Sequence, residues 1–157
     1  MSNGLPELAQ RLVNELDELA QMVERVQSAW QRFQHSSDSF YLDSVALNLH
    51  SFYNGLEHLF ELIAIHVDGA RPEGTNWHQT LLAQMASEIP QIRPAVISEP
   101  SCDRLNDYRR FRHIVRHTYT FQFDAERIEP FIDAIAPTFA QVQDEIAAFA
   151  IFLQNRA

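Results

Sequence analysis

From Leu5 to Phe33 the apolar residues Leu5, Leu8, Leu12, Leu16, Leu19, Val23, Val26, Trp30 and Phe33 recur at steps of three and four. That is the helical period, held for about eight turns. A helix with so long an apolar stripe is stable in water only if the stripe is covered by other helices or sheets, so this feature alone demands a packed partner. A second stripe supplies one: Leu42, Val45, Ala46, Leu49, Phe52, Leu56, Leu59, Phe60 and Ile63 predict a helix from about Ser39 to about His66. Between the two, His35 to Asp38 provides the break and the next N-cap.

Beyond Asp68 the chain is punctuated. The run Asp68 to Gly74 ends the second helix, Thr75 or Asn76 caps a shorter third helix through Glu88, and Pro90 and Pro94 stop it from continuing. The stretch to Pro100 reads as loop, and Ser101 or Asp103 opens a fourth helix. A last helical region follows Asp124, is expected to be interrupted or kinked at Pro130 and Pro137, and ends near Asn155. Strand-like alternation occurs only faintly, from Thr118 to Phe123. The expected fold is all-α, an up-and-down bundle of four to five helices forming a single domain over residues 1–157. With 157 residues, 46% of them apolar, such a domain can bury its own core.

Cys102, the only cysteine, cannot form an internal disulfide, and no leader of secretory type precedes the first stripe; a reducing cytoplasm is therefore the expected setting. The longest apolar stretch, Ile146 to Leu153, is too short to cross a bilayer, so no membrane association is expected.

The net charge of −9 argues against binding nucleic acid by bulk electrostatics. Charge is unevenly placed, however. All 12 basic residues are arginine, and Arg104, Arg109, Arg110, Arg112 and Arg116 fall in one short segment. The absence of lysine removes Schiff-base chemistry and the phosphate-binding-loop lysine, and the four glycines form no phosphate-cradling pattern. On a helix, Arg109, Arg110, Arg112, His113, Arg116 and His117 share an arc of roughly 160°, with Tyr108, Phe111, Ile114 and Val115 opposite. One face packs and the other presents cations. That surface suits a phosphodiester, because guanidinium groups bind phosphate oxygens in pairs and imidazole moves protons near neutral pH.

The run Arg112-His113-Ile114-Val115-Arg116-His117, followed by Tyr119, resembles the signature of the HEPN superfamily and, within it, of HepT-like toxins. That signature is an arginine with a polar residue after it, a histidine four to six residues on, and a tyrosine two positions past the histidine. The resemblance implies a homodimeric, metal-independent endoribonuclease of a toxin–antitoxin pair, with the cleft shared between subunits and no cofactor. Carried onto this chain, Arg112 and His117 are the expected catalytic pair, and His113, Arg109 and Arg116 the substrate-binding residues. Tyr119 is the expected site at which an MNT-type nucleotidyltransferase antitoxin attaches AMP. Transfer RNA is a target in parts of this family. The rival expectation is a non-catalytic HEPN-like module that serves as the binding subunit of a nucleotidyltransferase, and a plain bundle is a third.

Without the motif, Arg112 and His117 would be an exposed cationic face, and Tyr119 a helix-end aromatic. His50, Asn54, Glu57, His58 and Glu61 crowd the second helix, but the Glu-x-x-His of carboxylate-bridged metal bundles is absent, so they read as polar faces and no metal is expected. Trp77-His78 reads as a helix-start anchor in the core. Phe40, Tyr41, Phe52, Tyr53 and Phe60 read as packing rather than as base-stacking platforms.

Overall fold

The computed structural model describes residues 4–118 and 123–156. Five α-helices follow in order: α1 Leu5–Ser36, α2 Ser39–Ile63, α3 Trp77–Met85, α4 Glu99–Arg116 and α5 Ala125–Arg156. Helix α2 runs on into a π-helical turn, Ala64–Asp68, that Gly69 ends in the left-handed conformation at φ 73°. Strands are absent among the described residues, where an isolated Ile89–Arg93 bridge is the only β pairing. The all-α bundle expected from the sequence is the observed one. None of the described helices is long and apolar enough to cross a membrane.

Helix α1 lays its stripe against both α2 and α5, and α4 closes over α2 with α3 wedged beside it. Leu12, Val26, Val45, Leu49, Phe52, Leu56 and Ile146 are essentially without solvent contact at the centre. Gly55 lets α1 approach α2 closely: a Cβ there would meet Leu19 Cδ2 at 2.6 Å. Phe52, Tyr53 and Phe60 are core residues, as their spacing predicts, whereas Phe40 is exposed. Tyr108 of α4 donates its hydroxyl to the Phe131 carbonyl of α5 at 2.8 Å and meets the Phe131 ring edge-on, which fixes the rotation of α4.

Three sequence expectations are corrected. Pro130 and Pro137 do not interrupt α5, which is continuous from Ala125 to Arg156. Each interior proline costs about 3 kcal/mol. Ile128, Ile132, Ile135, Phe139, Val142, Ile146, Phe149 and Leu153 are buried along the same helix, at roughly 1.5–3 kcal/mol each, and outweigh that cost. Helix α4 begins at Glu99, two residues before Ser101, because Ser98 is its cap and Pro100 sits in the first turn, where proline lacks no needed N–H. Helix α3 stops at Met85 rather than Glu88. The Met85 carbonyl instead accepts from Val96 and Ile97 at 2.8 and 3.2 Å, folding the following loop back on the helix end.

That loop is tied down by a buried ion pair between residues 25 positions apart in the sequence. Arg93, 3% exposed, reaches Asp68 at the end of the π turn with Nε at 2.5 Å and Nη2 at 2.8 Å. Its remaining donors go to the carbonyls of Gln84, Ser87 and Pro94, so every guanidinium N–H is satisfied. The pair anchors the loop that leads to Ser98, the N-cap of α4.

A cationic cleft between α3 and α4

Helix α4 turns Arg109, Arg112, His113 and Arg116 into a cleft of about 270 Å³ whose opposite wall is Thr75, Asn76, His78 and Gln79. Four of the five catalytic and substrate-binding residues expected on α4 are thus brought together. His117, at the C-cap of α4, stands outside the lining, with its ring 4.3 Å from that of His113. Tyr119 lies outside the described residues. Arg110 departs from the cationic arc: it pairs with Asp107 at 3.1 Å and lines a different groove, of about 430 Å³, between α4 and α5. Ile114, expected to pack, is 46% exposed and borders that groove with Phe111 and Phe131.

Arg112 is not a free surface cation. Its side chain is 16% exposed, and Nη1 lies 3.6 Å from Oε1 of Glu57 and 3.1 Å from Nδ1 of His78. Glu57, on α2, is 4% exposed, and its Oε2 lies 2.7 Å from the same His78 nitrogen. A buried carboxylate without a partner would be costly; here an arginine and a histidine from two other helices answer it. Arg109 is held by Asn106, whose Oδ1 accepts from Nε at 3.0 Å.

The cations also act on the helix beneath. Burial, then the Arg112 and Arg116 charges, push the His50 imidazole below its usual range, so it stays neutral; Asn54 meets its Nδ1 at 3.2 Å. Burial, then the Glu57 carboxylate, hold the Tyr53 phenol far above its usual range despite the opposing pull of Arg109 and Arg112. His50, Tyr53 and Glu57 thus form a polar layer under α4. His78, read from sequence as a core anchor, is a cleft residue. A larger open hollow of about 740 Å³ between α1 and α2 mixes Glu18 and Glu24 with Arg25 and Arg32, and gathers no comparable cationic surface. Among the described residues, no group of three or more His, Cys, Asp or Glu side chains is placed to hold a metal ion.

A small helical bundle whose fourth helix offers arginine and imidazole to one cleft defines the class. The HepT-like protein family model matches residues 44–153, from α2 to near the end of α5, and the chain belongs to that family. The fold is also similar to a chain in the crystal structure of a mutant toxin–antitoxin pair, MntA-HpeT. That match has a TM-score of 0.66 at 22% identity and covers 87% of this chain and 97% of the other. No curated protein matches the chain.

Proposed function

We propose that this protein is the toxin of a toxin–antitoxin pair and cleaves RNA without a metal ion, as a homodimer. The observation that carries the reading is the convergence of Arg109, Arg112, His113 and Arg116 on one cleft, with His117 against His113. Membership of the HepT-like family and the similarity to a chain of a toxin–antitoxin structure support it. RNA carries its own nucleophile in the 2′-hydroxyl. A protein therefore needs to move two protons and stabilise charge at phosphorus, which imidazole and guanidinium can do. In this reading Arg112 stabilises the charge, His117 transfers protons, and His113, Arg109 and Arg116 bind the backbone. A second subunit would double the cations an acidic chain can offer, and exposed Ile114 beside an apolar groove gives such a copy a surface next to the basic face.

The neutralising step proposed is addition of AMP to Tyr119 by an MNT-type nucleotidyltransferase, which would set phosphodiester charge where the RNA backbone binds. Mass spectrometry after coexpression with such an enzyme should find adenylate mass on the Tyr119 peptide; inactivation with that peptide unmodified would exclude it. One observation favours the rival, a non-catalytic partner subunit: the Arg112 charge is already met by Glu57. RNA digestion in EDTA separates the two. Arg112→Ala and His117→Ala are expected to slow cleavage by about a hundredfold or more. No cleavage by the unsubstituted protein, or cleavage indifferent to both changes, would favour the binding subunit. Transfer RNA belongs in the digest as one substrate among others.

A further inference from the structure

The cleft contains an imidazole that the α4 motif does not supply, and its setting is that of an oriented acid–base group. His78 Nδ1 lies 2.7 Å from Oε2 of the buried Glu57. Arg112 Nη1 lies at nearly equal distances from the two ring nitrogens, 3.1 Å from Nδ1 and 3.5 Å from Nε2. A donor aligned with the Nδ1 lone pair would sit much farther from Nε2, so the guanidinium rests against the ring and the in-plane bond at Nδ1 belongs to Glu57. A carboxylate oxygen accepts, so Nδ1 is the nitrogen that donates to Glu57, and in the neutral ring the lone pair then falls to Nε2. The Trp77 ring, 3.8 Å away between centroids and tilted by 30°, packs against the imidazole and fixes its plane. His78 nevertheless lines the cleft and keeps 25% of its side-chain surface exposed. A histidine held at Nδ1 by a buried carboxylate, and lining a ligand cleft beside an arginine, is an arrangement suited to base-catalysed attack.

We propose that His78 is a second catalytic residue of the RNA-cleaving reaction, the general base, with Glu57 as its positioning residue; this rests on the ribonuclease reading above. His78 Nε2 takes the proton from the 2′-hydroxyl as O2′ forms its bond to phosphorus. The bond from phosphorus to O5′ breaks, and the departing oxygen takes a proton from the His117 imidazolium. Arg112, touching His78, meets the charge that gathers on the non-bridging phosphate oxygens. The products are a 2′,3′-cyclic phosphate and a 5′-hydroxyl, and the two imidazoles exchange protons with water to reset.

The test is single-turnover cleavage of total cellular RNA in EDTA by the full-length protein. It compares the unsubstituted chain with His78→Ala, His78→Gln, Glu57→Gln and His117→Ala. Gln at position 78 keeps a donor for Glu57 while removing the base, so it guards against a loss that is merely structural. Both His78 variants should cut the rate by about 10²- to 10⁴-fold, with RNA binding unchanged and the melting temperature of His78→Gln close to that of the parent. Free imidazole should restore part of the rate to His78→Ala. Glu57→Gln should slow cleavage less and shift the acidic limb of the pH–rate profile. Parental rates in both His78 variants, alongside an inactive His117→Ala, would overturn the role of His78 and leave the ribonuclease reading standing. A rate lost only in step with melting temperature, without imidazole rescue, would overturn it equally. No cleavage by the unsubstituted protein would overturn both.

Discussion

Replacing Asp68 by Asn tests how firmly the buried ion pair holds the loop before α4. In the native fold the carboxylate receives Nε and Nη2 of Arg93 and also Nε2 of Gln84, the last at 2.7 Å. The two side chains of the pair are 0% and 2% exposed, so water cannot take over these bonds. An asparagine offers one acceptor oxygen where two stood, and leaves the guanidinium charge buried without a counter-charge. The charge-assisted bond that goes with the second oxygen is worth roughly 1.5–3 kcal/mol, and with the guanidinium left buried and uncompensated the loss should reach the ~3–5 kcal/mol usual when one partner of a buried pair is removed. A domain stable by about 5–15 kcal/mol would give up a large share of its margin. At roughly 2–4 °C per kcal/mol for a chain of this size, the melting temperature should fall by about 6–20 °C. Urea and thermal unfolding followed by circular dichroism read both quantities directly. A loss under about 1 kcal/mol, the range of an exposed pair, would mean that the pair is solvated and that the loop before α4 is held by something else.

Removing the α4 cap with Ser98→Ala should cost about 1 kcal/mol, because its Oγ accepts from the Ser101 N–H at 3.3 Å; an unchanged unfolding midpoint would refute the capping role. His50 should make stability pH-dependent. Its folded-state pKa lies below the unfolded value of 6.5, so the unfolded chain takes up a proton that the folded chain refuses. The stability it contributes is complete above pH 6.5 and is lost as pH falls from there through the lower folded value. His50→Gln should therefore lose less stability than the parent over that interval, and parallel stability curves for the two proteins would show that the ring is not held neutral.

Much of the bundle is written locally. The stripes of α1 and α2 could be read directly because each helix shows a single buried face, so the period of the sequence is the period of the packing. Helix α5 defeated the local reading at Pro130 and Pro137, since the proline rule counts a lost hydrogen bond and the sequence does not show how much apolar surface Ile132, Ile135 and Phe139 bury in return. The same division holds at the cleft. Arg109, Arg112, His113 and Arg116 follow one another on a helix, and their common face follows from spacing alone. Glu57 and His78 come from other helices, and only tertiary packing brings them to Arg112. One signal for Glu57 was present: it sits one turn from Tyr53 and next to Leu56 on the apolar side of α2, and a carboxylate on a buried face requires a cationic or donor partner somewhere.

The stacking of Trp77 on His78 has an optical consequence. The chain has two tryptophans, and Trp30 belongs to α1 in the core. With Trp30→Phe, emission would come from Trp77 alone, an indole in van der Waals contact with an imidazole that lines the cleft. A proton or an anion arriving at His78 would change the quenching of that indole, so occupancy of the cleft can be followed by fluorescence without attaching a dye.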